Sequence, residues 1–422
     1  MHHSKLALIK SIGSQWVSVI YGAAVMFFLL IFLARKLGPS SLAIFLYIQT
    51  IASLFAILQD GGFQALLFRE KVAPSEKTGI TIDAIVSGYF GYISMTTLLG
   101  LAAVLLFPVA FKTGFLLAFC YFAFRCLTNL VSFLLKGQGS FKREALWRIQ
   151  LNTIVALPVL LLIGFTTPTP EKVFLGFIIG QLLILATKNG RKIFSGSKIT
   201  LPPWRLWKTC LSFVVIYGAS MIYFRSSIVL LKHLQPDLAL VGYYGAALQL
   251  LEGVIFLAAP VAHMAFRYMR LSWLNRKTFN ERFGRILTGA AAAAFLLTTT
   301  GILFAPKFIL LAYGKAYGPA ADILPLLLFS LMFILPNLIL TQGIIALNGE
   351  RYYAVAASLC AVFNVGMNFF LIPQYLATGA AISTVATEAL LTLLLGGWFI
   401  LWRRTRMTAQ GVCGKSEKDL DF

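Results

Sequence analysis

The stretch 12-IGSQWVSVIYGAAVMFFLLIFLA-34 decides the fold. It carries no formal charge over 23 residues. As a helix it would be about 35 Å long, enough to cross ~30 Å of hydrocarbon. A helix also satisfies its own backbone N–H and C=O groups, which lipid cannot do. Lys5 and Lys10 precede the run, and Arg35-Lys36-Leu37-Gly38-Pro39 ends it. The run is too long for the apolar core of a signal peptide, and no small-x-small cleavage pattern follows. It reads as a first membrane helix.

Further apolar runs of spanning length lie near 40–62, 81–107, 113–135, 147–167, 172–188, 209–231, 240–264, 285–305, 320–345, 352–372 and 379–401. The predicted class is therefore an all-α membrane protein of about twelve transmembrane helices. Composition agrees. Of 422 residues, 59% are hydrophobic and 12% charged, against roughly 25% charged in soluble domains. The short connectors hold turn signals such as Lys136-Gly137-Gln138-Gly139 and Pro168-Thr169-Pro170. The longest, 189–208 and 265–284, are basic and aromatic, and read as interfacial segments lying on the bilayer. The five cysteines show no metal or disulfide spacing and read as small hydrophobes.

The net charge of +21 would suggest a nucleic-acid partner in a soluble chain. Alternating the helices from an inside N-terminus gives another explanation. Of 36 Lys and Arg, 27 fall on the inner side, 7 on the outer, and two, Arg125 and Arg225, inside helices. That asymmetry predicts both termini in the cytoplasm of a multi-pass cell-membrane protein, with the inner leaflet and not nucleic acid facing the charge.

The motif Leu33-Ala34-Arg35-Lys36-Leu37-Gly38-Pro39 returns as Leu230-Leu231-Lys232-His233-Leu234-Gln235-Pro236, 197 residues later. Six helices followed by six of the same orientation imply two pseudo-symmetric lobes around a central cavity. The expected division is 1–190 for one lobe, 191–208 for a basic linker, 209–402 for the second lobe and 403–422 for a tail.

Arg35-Lys36-Leu37-Gly38-Pro39, Gln59-Asp60-Gly61-Gly62 and Phe68-Arg69-Glu70 resemble the start of polysaccharide-transport flippases. These are the O-antigen and teichoic-acid exporters of the multidrug/oligosaccharidyl-lipid/polysaccharide (MOP) superfamily. Gly242-Tyr243-Tyr244-Gly245-Ala246-Ala247, Tyr313-Gly314-Lys315-Ala316-Tyr317 and Gly379-Ala380-Ala381 extend the similarity in order along the chain. Ala43 and Phe45 depart from it, where the family often has Gly and Tyr. The resemblance implies alternating access and a polyprenyl-pyrophosphate-linked oligosaccharide as substrate. It also implies coupling to H+ or Na+, polysaccharide-assembly proteins as possible partners, and no cofactor.

A charge at the bilayer centre costs at least ~2.5–3.5 kcal/mol, so each one needs a reason. Arg125, with Asn129 and Ser132 on one stripe, and Arg225, with Gly218 on its face, suit a pyrophosphate held by a guanidinium fork. The alternatives are a structural pair with a helix acid, or snorkelling by Arg225. Glu252, Glu388 and Asp83 are the acids inside or near apolar runs. Glu388 with Asn364 and Asn368 would form a cation or proton site in the second lobe, where the related lipid II flippases hold sodium. Glu252 could equally pair with Arg225, and Asp83 could be a helix-start acid in water. His263 reads as an interfacial histidine or a proton relay. Gly176-x-x-x-Gly180 reads as close packing, and Pro158, Pro260 and Pro336 as kinks. No catalytic constellation is visible, so the chain is not read as an enzyme. A multidrug cation exporter of the same superfamily, or a membrane-embedded glycan polymerase or ligase, are the competing readings. The first would want an acidic, aromatic cavity, the second a sizeable outward loop.

Overall fold

The computed structural model describes residues 2–72, 81–194, 198–204, 207, 210, 214, 218, 225–270, 272, 275–347 and 349–416. Among them there is no strand. The helices are α1 (His2–Asp60), α2 (Phe63–Val72), α3 (Ile82–Leu106), α4 (Lys112–Gly137), α5 (Phe141–Phe165), α6 (Pro170–Leu185) and the turn α7 (Lys188–Arg191). After a helical stretch at 225–234 come α8 (Leu238–Arg270), α9 (Arg276–Tyr313), α10 (Ala320–Phe329), α11 (Leu331–Ala346) and α12 (Glu350–Ser416). Eight helices among the described residues are long and apolar enough to cross a membrane. Two of them are bent double. α1 reverses at Gly38 (φ 74°), a left-handed conformation that glycine adopts without strain, and α12 reverses at Leu376 (φ 55°). α10 and α11 together make one crossing, interrupted at Ser330. Counting α6 and the stretch through 225–234, the twelve expected passes are present in two lobes. Most of the seventh, 209–224, lies outside the described residues.

The distribution of apolar cores explains the shape. Call the side that bears the Lys/Arg-rich connectors the basic face. Toward the opposite face, one continuous core joins both lobes, with Leu33, Leu42 and Phe174 of the first packed with Tyr244, Tyr317 and Ile372 of the second. Toward the basic face the core divides. Leu66, Tyr89, Leu130 and Trp147 close the first lobe on itself, and Met269, Phe283, Leu340 and Phe399 close the second. Two lobes that share a core at one end and separate at the other enclose a cleft open to the basic face.

Polar contacts fasten the closed end. The Arg35 guanidinium donates to the Leu311 and Ala312 carbonyls, at the negative end of α9. Tyr317 donates its hydroxyl to the Ala34 carbonyl at 2.8 Å, and Gln235 Nε2 reaches the Ile372 carbonyl at 3.1 Å. At Gly242 the lobes approach so closely that a Cβ would lie 2.1 Å from the Pro39 carbonyl oxygen. Gly242→Leu is therefore expected to open this end. Spin labels at Lys36 and Lys307 should move apart by several ångströms in the folded variant, and an unchanged distance would refute the closure described here.

Gly176 and Gly180 let α6 lie against α5, since a Cβ at Gly180 would stand 2.5 Å from the Val155 Cα. Pro158 is buried in α5. Cys126, Cys210 and Cys360 are buried and Cys120 half-buried. The two long connectors are more ordered than their composition alone shows. Of residues 265–284, α8 takes those up to Arg270 and α9 those from Arg276. The linker stays exposed while docking on a neighbouring helix. Lys198 N–H donates to Ser87 Oγ (3.2 Å) and Thr200 N–H to the Ser87 carbonyl (3.3 Å). A Cβ on Gly91 would lie 2.1 Å from the Thr200 carbonyl oxygen. Residues 198–203 are thus an extended strap laid along α3, and the described residues Trp204, Trp207 and Cys210 beyond it are helical. The strap forms because a glycine-flattened helix face accepts its backbone more closely than lipid could.

Candidate functional site

In the second lobe the polar side chains of α8, α11, α12 and the 225–234 stretch converge. Glu388 on α12 is 3% exposed. Its Oε2 accepts from Asn337 Nδ2 at 2.8 Å, while Asn337 Oδ1 accepts from Thr392 at 2.8 Å. Asn364 and Asn368, one turn apart, are both buried. Asn364 Oδ1 accepts from Ser226 (2.7 Å) and from Asn368 Nδ2 (2.8 Å), and Asn364 Nδ2 donates to Thr387 (3.0 Å). Asn368 Nδ2 also donates to Ser227 (3.1 Å). Asn368 Oδ1 is left buried without a hydrogen-bond partner, an arrangement that costs roughly 1–3 kcal/mol unless something supplies positive charge.

A cavity of about 30 Å³ lies among these groups, with Ser227, Tyr244, Glu252, Asn364, Thr384 and Glu388 on its polar wall. That is room for one or two water-sized particles. Hydroxyl, amide and carboxylate oxygens are the ligands a hard cation takes. The cavity therefore brings Glu388, Asn364 and Glu252 together, and Asn368 stands behind its wall, bonded to Asn364 and Ser227. Asp83 does not join them. It stands exposed in the first turn of α3, where the helix start attracts a negative charge.

Glu252 has a second neighbour. Arg225 Nη1 lies 3.1 Å from its Oε1 and Nη2 3.5 Å from its Oε2, with both side chains about a quarter exposed. So Arg225 is a paired cation that links the cavity to the cleft.

Arg125 differs. Its side chain is exposed, and among the described residues it forms no ion pair or hydrogen bond; its only partner is the Phe122 ring, 5.5 Å away. On the same face of α4, Ala118, Tyr121 and Ser132 are buried. Ser132 meets Glu144 of α5, which in turn meets Gln15 of α1. Arg125 therefore sits on the face of α4 whose Ser132 packs toward α5, with its own side chain exposed. Asn129 lies half-exposed one turn nearer the basic face.

The sequence reading missed three features. Asn337 and Ser226 look like isolated polar residues in apolar runs, yet each completes the second-lobe network. Asp60 ends α1 deep in the first lobe, where it accepts from Tyr89 (3.3 Å) and Gly62 N–H (3.2 Å) at a break formed by Gly61 and Gly62. Glu144 is fully buried near the basic face and accepts from Gln15 (2.5 Å), Ser132 (2.5 Å) and Arg148 (3.0 Å), with Lys136 at 3.5 Å. The Glu144-x-x-x-Arg148 spacing was its one visible signal. The cluster ties α1, α4 and α5 together. Glu144→Gln should lower stability by about 2–3 kcal/mol, since it leaves two cations with no counter-charge. Thermal unfolding in detergent checks this, and a shift under 1 °C would refute it. The His263 side chain lies outside the described residues. Among those described, no group of three or more His, Cys, Asp or Glu could hold a metal.

No protein-family model and no curated protein matches the sequence. Solved structures do. A lipid II flippase MurJ in an inward closed conformation superposes with a TM-score of 0.67 at 16% identity, covering 92% of this chain and 86% of that one. An inward-facing multidrug-resistance MATE transporter gives 0.67 at 14% identity, over 93% and 95%. An outward-facing MATE transporter gives 0.60 at 18%, over 95% and 96%. Twelve passes, two lobes joined at one end and full-length superposition give this chain the fold of the MOP-superfamily transporters.

Proposed function

We propose that this protein is a cell-membrane flippase that carries a polyprenyl-pyrophosphate-linked oligosaccharide from the cytoplasmic to the outer leaflet by alternating access. The observation that carries the reading is Arg125, an exposed guanidinium on a spanning helix of the first lobe with no ion pair or hydrogen bond among the described residues. A transporter of organic cations gains nothing from such a charge. A pyrophosphate supplies the bidentate oxygens it lacks. Glu252, the acid nearest the cleft in the second lobe, already carries Arg225, which weakens the cation-exporter alternative. Arg225 and Asn129 would complete the headgroup contacts. The basic face is taken as cytoplasmic on the Lys/Arg asymmetry, with both termini there.

A monovalent cation in the second-lobe cavity would couple to transport, with the oxygens of Glu388, Glu252 and Asn364 around it and Asn368 behind Asn364. A proton needs one carboxylate. The surrounding amide and hydroxyl oxygens of the cavity wall favour sodium. The direct test is reconstitution in liposomes with a lipid-linked oligosaccharide in the inner leaflet. Appearance of the glycan outside, dependent on an inward sodium gradient, is expected. Export of ethidium-like cations without lipid movement would overturn the reading.

A further inference from the structure

An exposed apolar stripe and a cluster of cations meet outside the central cleft, at the start of the strap. Leu175, Ile179, Leu182 and Leu183 are exposed along one side of α6, at the spacing of a single helix face. In a chain that crosses a membrane this stripe is a track for acyl chains. It leads to the basic face, where α7 folds back beneath the helix end. Gly190 permits the fold, since a Cβ there would lie 2.4 Å from the Leu185 carbonyl oxygen. The turn fans out Lys188, Arg191 and Lys192, which with Ala186 border a shallow cleft wide open to solvent. No carboxylate pairs with these three side chains among the described residues. Beyond the cleft, the strap exposes Ile199, Leu201 and Trp204, a combination suited to the headgroup layer.

We propose that this cradle binds the phosphodiester of an anionic phospholipid, such as a phosphatidylglycerol, whose chains lie along the α6 track. A free phosphate would use the cations but not the track. Because the cradle leads into the strap that docks on α3 through Ser87 and Gly91, a bound lipid would hold the strap at the interface while the lobes rock.

The test uses the full chain in detergent, with bound lipid counted by native mass spectrometry. Three proteins are compared: wild type, K188Q/R191Q/K192Q, and K142Q/K277Q/R285Q, which removes the same charge elsewhere on the basic face. Near a membrane surface each cation contributes about a fivefold factor. The cradle variant should therefore hold dioleoyl-phosphatidylglycerol roughly a hundredfold more weakly, and the control should stay within a few-fold of wild type. Wild type should also prefer this lipid to phosphatidylcholine, and 10 mM inorganic phosphate should not displace it. Equal losses in the two variants, no loss in the cradle variant, or displacement by phosphate would each overturn the site. Circular dichroism on both variants excludes unfolding as the cause.

Discussion

Arg125→Ala should bind a prenyl pyrophosphate about a hundredfold more weakly than wild type and should transport its lipid-linked oligosaccharide at a background rate. The size follows from the chemistry. Two charge-assisted hydrogen bonds from one guanidinium contribute about 3 kcal/mol in a partly dry cleft, and each 1.4 kcal/mol is a factor of ten. Little stability should be lost, because among the described residues Arg125 holds no carboxylate or carbonyl in place and stands over the Phe122 ring. Binding and stability therefore separate cleanly in this variant. Arg125→Lys should recover part of the affinity, since it keeps the charge and loses the fork. Titration of farnesyl pyrophosphate into the purified protein measures the first effect, and liposome transport the second. An affinity within threefold of wild type would remove Arg125 from headgroup binding.

Glu388→Gln should flatten the sodium dependence of transport and weaken sodium binding by at least tenfold. Glutamine preserves the shape and can still accept from Asn337, so the α11–α12 contact survives. What it removes is the formal negative charge in the cavity. A monovalent cation surrounded only by neutral oxygens loses its strongest attraction in a low-dielectric site. Radioactive sodium binding and transport at constant ionic strength, with choline replacing sodium, measure the change. Glu388→Asp should retain part of it. Unchanged sodium dependence would return Glu388 to a structural role. A variant that instead changes only the pH profile would make the coupling ion a proton.

Much of this molecule was legible in one dimension. Apolar runs of 20 or more residues admit few alternatives, because lipid forces each to satisfy its own backbone. The 27-to-7 division of positive charge assigned a side to every connector. The pair Asn364 and Asn368 was readable because residues four apart share a helix face, and Glu388 because an acid in an apolar run has few reasons to be there. The connectors were legible only in part. Basic and aromatic residues mark an interface equally well whether the chain lies on lipid or docks on a neighbouring helix. Only the glycine face of α3 distinguishes these cases, and it lies about 110 residues earlier in the chain.

The sequence by itself thus determined the passes, the two-lobed repeat and the short list of charges that lipid should not tolerate. The stretch 12–34 already contained that logic. Tertiary structure decided which of those charges are paired. Arg225 pairs with Glu252, Glu144 is shared among three helices, and Arg125 has no ion pair among the described residues. It also decided that the cleft opens to the basic face. Pairing and closure depend on distances between helices far apart in the chain, and those distances are set by packing, which no local pattern encodes.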